Sequence, residues 1–201
     1  MAADALLEAR GLGIERSGRC LFSGLDLQIR AGDLVHLRGA NGAGKTTLLR
    51  ILASLSRFGF DGEVHLDRSP LFLGHHSAVK GSLSPRENLA WHPSGESYGD
   101  AAAIDAALAA VGLYGYEEVP AAQLSAGQQR RVDLARLYLS RRALWLLDEP
   151  FTAIDVQGVA RLQERFLRHV TGGGAVLLTS HQALDLDYPV RVVDLSARRR
   201  G

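Results

Sequence analysis

With 201 residues, 46% of them apolar, the chain is long enough for one α/β domain with its own core and a small inserted subdomain, and too short for two independent domains. Its 23 Lys and Arg against 22 Asp and Glu leave a formal charge of +1, so the balance supplies no basic surface and no nucleic-acid partner is expected. The lone Cys20 excludes an internal disulfide, fits a reducing compartment and reads as a small buried residue.

The opening MAADALLEARGLGIER has no basic region followed by an apolar stretch, and no later run reaches the roughly 18 apolar residues of a spanning helix. The expectation is a soluble chain that meets a membrane only through a partner. Residues 6–14 and 25–29 read as short strands, the second alternating in LDLQI, followed by a turn at Ala31-Gly32-Asp33. Residues 34–37 then run apolar toward Gly39. Gly39-Ala40-Asn41-Gly42-Ala43-Gly44-Lys45-Thr46 matches G-x-x-x-x-G-K-[ST] without a mismatch, directly before the helix-forming TTLLRIL. Strand, glycine loop and helix in this order suit a polyphosphate, because backbone N–H groups must close around it and side chains at the glycines would stand in the way. The positive end of the helix dipole adds to the same site. Lys45 reads as the contact to the β and γ phosphates and the Thr46 hydroxyl as a Mg²⁺ ligand, while Thr47, next in the run, is counted with the loop but reads as helix packing. A glycine turn matching by chance is the competing reading, and the flanking strand and helix count against it.

Residues 58–62 read as a glycine-punctuated loop, 63–66 as a strand, and 71–74 as another that delivers His75 and His76. From residue 77 the texture becomes helical. Ser84-Pro85-Arg86-Glu87 is a capping box with proline at the first helical position, and its helix runs through Trp91. Residues 101–111 form an alanine-rich helix ended by Gly112. Residues 124–139 lead from a loop into an amphipathic helix whose apolar face holds Val132, Leu134, Ala135, Leu137 and Leu139. Residues 143–147 are all apolar and end in Asp148-Glu149-Pro150, the form of a buried parallel strand with carboxylates at its end. A helix at 158–170 and strands at 175–179 and 190–195 complete the pattern, and the terminal Arg198-Arg199-Arg200 reads as solvated. Helices without strands, set between strands of an α/β core, predict one domain over 1–201. Its core is placed at 1–76 and 143–201 and its helical subdomain at roughly 77–142.

The strand ending in Asp148 and Glu149 is expected beside the P-loop strand. There Asp148 can hold Mg²⁺ through water, and Glu149 can polarise an attacking water. A polar strand cap is the bland alternative, adequate for one acid and poor for two. His181, after LLTS, reaches the γ-phosphate from the far side, although a lone histidine there is more often structural.

Gly39 to Thr46, Leu124-Ser125-Ala126-Gly127-Gln128, residues 144–149, Ile154-Asp155 and Ser180-His181, in this order, resemble the ATP-binding cassette (ABC) ATPases over nearly the whole chain. That resemblance implies an α/β P-loop NTPase core with a mostly parallel sheet, antiparallel N-terminal strands and an inserted helical subdomain. It further implies ATP and Mg²⁺ as ligands and a second copy of the chain as partner, the two joined head to tail around two ATP molecules. Ser125, Gly127 and Gln128 would then contact the partner's ATP, Lys45, Glu149 and His181 would carry catalysis with Glu149 as general base, and Asp155 would lie in the loop that crosses the dimer. Two positions depart from the family pattern. Arg16 stands where an aromatic ring commonly stacks on adenine, a task a guanidinium plane can also perform. His76 stands where glutamine is usual, and its nitrogen suits Mg²⁺ poorly.

More narrowly, LSAGQQRR, DEPFTAID, FLGHH and ENLAW are similar to the haem-exporter ATP-binding subunits of bacterial cytochrome c maturation. This implies a peripheral protein at the cytoplasmic face of the inner membrane, integral membrane permease subunits of that system as partners, and ATP hydrolysis coupled to haem export or release of a haem carrier. The ATPase of another transporter, for lipid, lipoprotein or a small solute, is the alternative, followed by a soluble non-transport cassette protein.

Overall fold

The structure, a computed structural model, describes residues 5–56, 59–91 and 100–196. The expected terminal arginine cluster lies outside the described residues. The chain opens with β1 (Ala5–Arg16), β2 (Arg19–Arg30), β3 (Leu34–Arg38) and α1 (Lys45–Leu52), then β4 (Asp61–Leu66) and β5 (Leu71–Leu73). The helical stretch holds α2 (Pro85–Ala90), α3 (Ala101–Ala110) and α4 (Ala126–Leu139), and the chain returns through β6 (Leu144–Leu147), α5 (Val156–Thr171), β7 (Ala175–Thr179) and β8 (Val190–Asp194). Two compact units result: Met1–Leu73 with Arg142–Pro150 and Phe166–Gly201, and Gly74–Arg141 with Phe151–Arg165.

In the first unit, β1 and β2 alternate apolar and polar residues, and the inward side chains Leu7, Leu12, Phe22, Leu25 and Ile29 are buried. Ser17 and Gly18 join them at φ 52° and 72°, the left-handed pair that twists with a hairpin. β4 pairs antiparallel with β1 and begins at Asp61, two residues inside the stretch that its glycine marks as loop. Gly62 is there for space: a Cβ would stand 2.4 Å from the Arg10 carbonyl oxygen, and φ is +87°. Cys20 is half-buried in β2, not buried as expected, because it sits near the turn where the hairpin extends toward solvent.

The second sheet of this unit is parallel throughout, in the order β5-β6-β7-β3-β8. Every residue of β6 and β7 is buried, which explains their aliphatic runs. The expectation that β6 lies beside β3 is corrected, since β7 runs between them. Crossover connections leave lateral order free, yet parallel strands all end at one edge, so the carboxyl ends of β3 and β6 still open on the same side. Leu48, Leu49, Ile51 and Leu52 of α1 share one core with Val35, Leu37, Leu146 and Leu177, each such side chain contributing about 2 kcal/mol on leaving water.

In the second unit, α2, α3 and α4 bury Leu89, Ile104, Leu108, Leu113, Val132 and Ala135 together. The capping box of α2 forms as expected, Ser84 Oγ accepting from the Glu87 N–H and Glu87 accepting from the Ser84 N–H. Arg86 then ties α2 to Asp105 of α3 and to Glu118. Trp91 is 79% exposed, whereas Val79 and Leu83 are half-buried and Val79 packs on the helical core. Phe151–Arg165 packs within this unit, which the strand-free stretch 77–142 does not include. Gly127 shows how closely: a Cβ there would lie 2.9 Å from the Ala153 carbonyl oxygen.

Candidate functional site

The glycine loop between β3 and α1 uses positive φ at Gly39 (152°), Gly42 (75°) and Gly44 (96°). Packing adds a second reason, because a Cβ at Gly44 would stand 3.1 Å from the Phe22 ring and one at Gly39 would stand 3.1 Å from Ala43 Cβ. Ala43 is buried, while Ala40 and Asn41 are exposed and leave their backbone open to solvent. α1 has no side-chain cap and no acidic residue in its first turn, whereas α2 and α4 both carry capping boxes and α2 also places Glu87 in its first turn. Its first-turn N–H groups are therefore available to an anion. Lys45 Nζ reaches across the loop to the Gly39 carbonyl at 2.7 Å, so its ammonium stands over the cradle. Thr46 is exposed and Thr47 half-buried.

A string of oxygens begins at Thr46. Its Oγ1 donates to Asp148 Oδ2 at 2.7 Å, and Thr179 Oγ1 donates to Asp148 Oδ1 at 2.8 Å. Thr179 Oγ1 also accepts the Glu149 N–H at 2.8 Å. Asp148 is 2% exposed, and these two hydroxyl donors help to satisfy its buried oxygens. Glu149 adopts φ 48°, a left-handed conformation that costs a non-glycine residue energy and must be held by its surroundings. The Thr179 bond is one such hold. Another comes from His181, whose backbone N–H donates to Glu149 Oε2 at 3.3 Å and whose ring Nε2 stands 3.5 Å from Oε1. A hydroxyl and a carboxylate meeting at Thr46 and Asp148 are hard oxygen donors and fit Mg²⁺, which takes few protein ligands and completes its shell with water and phosphate oxygens. No cluster of three or more His, Cys, Asp or Glu suited to a softer or larger metal occurs among the described residues.

Lys45, Thr46, Asp148, Glu149 and His181 thus sit in the first unit, while Ser125, Gly127, Gln128, His76 and Asp155 belong to the second. Ser125 and Gln128 form the capping box of α4: Ser125 Oγ accepts from the Gln128 N–H at 3.2 Å and Gln128 Oε1 accepts from the Ser125 N–H at 2.9 Å. Asp155 caps α5 through the Gly158 N–H at 2.7 Å. His75 and His76 are exposed, their rings edge to face at 5.2 Å. Arg16 is exposed at the end of β1, beside the hairpin turn. Thr179 escaped the sequence reading, and its only signal was a hydroxyl closing the otherwise aliphatic AVLLT.

Residues 22–152 match the family model described as ABC transporter. Over 192 residues the chain is 53% identical to the cytochrome c biogenesis ATP-binding export protein CcmA of Salmonella typhi, covering 89% of this chain and 91% of that protein. The chain belongs to the ABC transporter family, in the group of these CcmA proteins. Among solved structures, this ABC ATPase is similar to a Pyrococcus furiosus protein assigned as an ABC transporter ATP-binding protein, with a TM-score of 0.79 and 25% identity over 96% of this chain and 99% of that one. An ATP-binding cassette solved as a dimer in a post-hydrolysis state with ADP and Pi shares the fold, with a TM-score of 0.76 and 20% identity over 88% of each chain.

Proposed function

We propose that this ABC ATPase, the ATP-binding subunit of a cytochrome c biogenesis system, couples hydrolysis to haem export or to release of a haem carrier. The supporting observation is the unbroken string from Thr46 through Asp148 and Thr179 to Glu149 and His181, beside a lysine-bearing phosphate loop. Lys45 and the open first turn of α1 bind the β and γ phosphates, and Thr46 and Asp148 would hold Mg²⁺, which when bound neutralises phosphoryl charge. Glu149 is placed as the general base: its carboxylate takes the proton of the attacking water. His181, whose backbone N–H donates to Glu149 Oε2 and whose ring stands 3.5 Å from Oε1, orients that carboxylate and offers its ring toward the phosphate side. Arg16, by this reading, supplies a guanidinium plane to the base.

The capping box leaves the family role of the second unit intact. Ser125 Oγ accepts within the box and keeps its O–H to donate, and Gln128 uses its oxygen and keeps its NH₂. Both are thus rigid donors suited to the phosphates held by a second copy arranged head to tail. No helix among the described residues is long and apolar enough to cross a membrane, so the work would pass by contact to integral permease subunits at the cytoplasmic face. Trp91, 79% exposed at the end of α2, is proposed as part of that contact.

Complementation tests this reading. In a strain lacking its own CcmA, this chain should restore haem-stained c-type cytochromes and Lys45→Ala should not. Normal expression and ATPase activity without any cytochrome recovery would favour the ATPase of another transporter.

A further inference from the structure

β3 reads LVHLR, and its central His36 is 2% exposed between the aliphatic residues Val35 and Leu37. A buried imidazole must place both ring nitrogens. Nε2 lies 3.0 Å from the Ser180 carbonyl oxygen, which can only accept, so Nε2 carries the proton. Arg38 Nε donates to Nδ1 at 3.3 Å, which requires Nδ1 to be the bare acceptor. The two neighbours specify the same neutral Nε2–H tautomer.

The carbonyl that His36 holds belongs to the Ser180–His181 peptide group, and the N–H of that same planar group donates to Glu149 Oε2 at 3.3 Å. His36 and Glu149 thus grip one rigid unit from its two sides, and polarisation along such a chain strengthens both bonds. The turn beyond is closed on itself, Ser180 Oγ accepting from the Gln182 N–H at 2.8 Å and donating to its carbonyl at 3.0 Å. His36 ties this turn to β3, and Ser180 is half-buried. His36, Arg38, Lys45 and His181 line one cleft.

We propose that His36 is a positioning residue for ATP hydrolysis, clamping the Ser180–His181 peptide and through it setting the place of the Glu149 carboxylate. The inference rests on Glu149 being the base. The test compares His36→Leu, His36→Gln and Glu149→Gln. His36→Leu should lower kcat about tenfold or more, a misplacement effect, while KM for ATP stays within about twofold. His36→Gln, which keeps an N–H donor, should recover most of the rate. In the wild-type protein, histidine ¹⁵N NMR at pH 7.5 should show His36 as the Nε2–H tautomer, a readout independent of how the variants fold. A wild-type kcat in His36→Leu, no rescue by glutamine, or an Nδ1–H or charged His36 overturns the proposal while an inactive Glu149→Gln leaves the base assignment standing. Wild-type hydrolysis by Glu149→Gln overturns the base assignment itself.

Discussion

Thr179→Val replaces a fully buried hydroxyl by a methyl of nearly the same volume, so packing is preserved and only hydrogen bonding changes. The hydroxyl donates to the buried Asp148 carboxylate at 2.8 Å and accepts the Glu149 N–H at 2.8 Å. A hydrogen bond to a charged group is worth about 1.5–3 kcal/mol, and a backbone N–H left without its acceptor costs about 1–3 kcal/mol. Glu149 relaxing from its left-handed φ of 48° returns part of this, so a net loss of about 3 kcal/mol is expected. That corresponds to about 6–12 °C in Tm for a chain of this size. Urea unfolding followed by circular dichroism reads the stability, and phosphate release reads the activity, which should fall because Glu149 loses its backbone anchor. A stability loss below about 1 kcal/mol, with activity intact, would show that the Asp148–Thr179–Glu149 bonds do not hold the site.

Gly62→Ala puts a Cβ 2.4 Å from the Arg10 carbonyl oxygen and 2.7 Å from the backbone of Gly11, at φ +87°. Since backbone cannot yield as a side chain would, a loss of about 3 kcal/mol or more is expected, and a urea midpoint near the wild type would contradict the close backbone approach at Gly62. Ser84→Ala removes the α2 cap and should cost about 1 kcal/mol in the same assay, with ATP affinity unchanged. Burial, opposed by the Ser180 hydrogen bond and assisted by Arg38, holds the His36 pKa below its ordinary 6.5. The unfolded chain therefore takes up a proton that the folded chain refuses, so this stabilisation is complete above about pH 6.5, the unfolded value, and is lost progressively as pH falls below it toward the lower folded value. Between pH 7.5 and 5 the wild-type urea midpoint should fall more steeply than that of His36→Gln, and equal slopes would refute the assignment.

The phosphate loop was legible because its chemistry needs contiguous residues at fixed spacing, Gly39 to Thr46, and the acidic pair because two carboxylates closing an apolar strand have few other uses. The order of the parallel sheet was not. Long crossovers let β7 slip between β3 and β6 without changing any local pattern. Thr179 and His36 were invisible for a related reason, since their partners lie 31 and 144 positions away and nothing local marks the pairing. Ser125 and Gln128 were singled out for a nucleotide role, although S-x-x-Q is also a capping box and the structure shows that second use. Cys20, beside the hairpin turn, is half-buried, while Phe22 two residues on is fully buried, so small size alone did not predict burial in β2.

By the proposal above, Glu149 hydrolyses ATP in a site completed by a second copy of the chain. Light scattering of Glu149→Gln with and without ATP and Mg²⁺, with phosphate release followed in the same sample, tests it most directly. A dimer should form only with ATP and persist because phosphate is not released. Phosphate release at the wild-type rate, or a mass that does not respond to ATP, would contradict it.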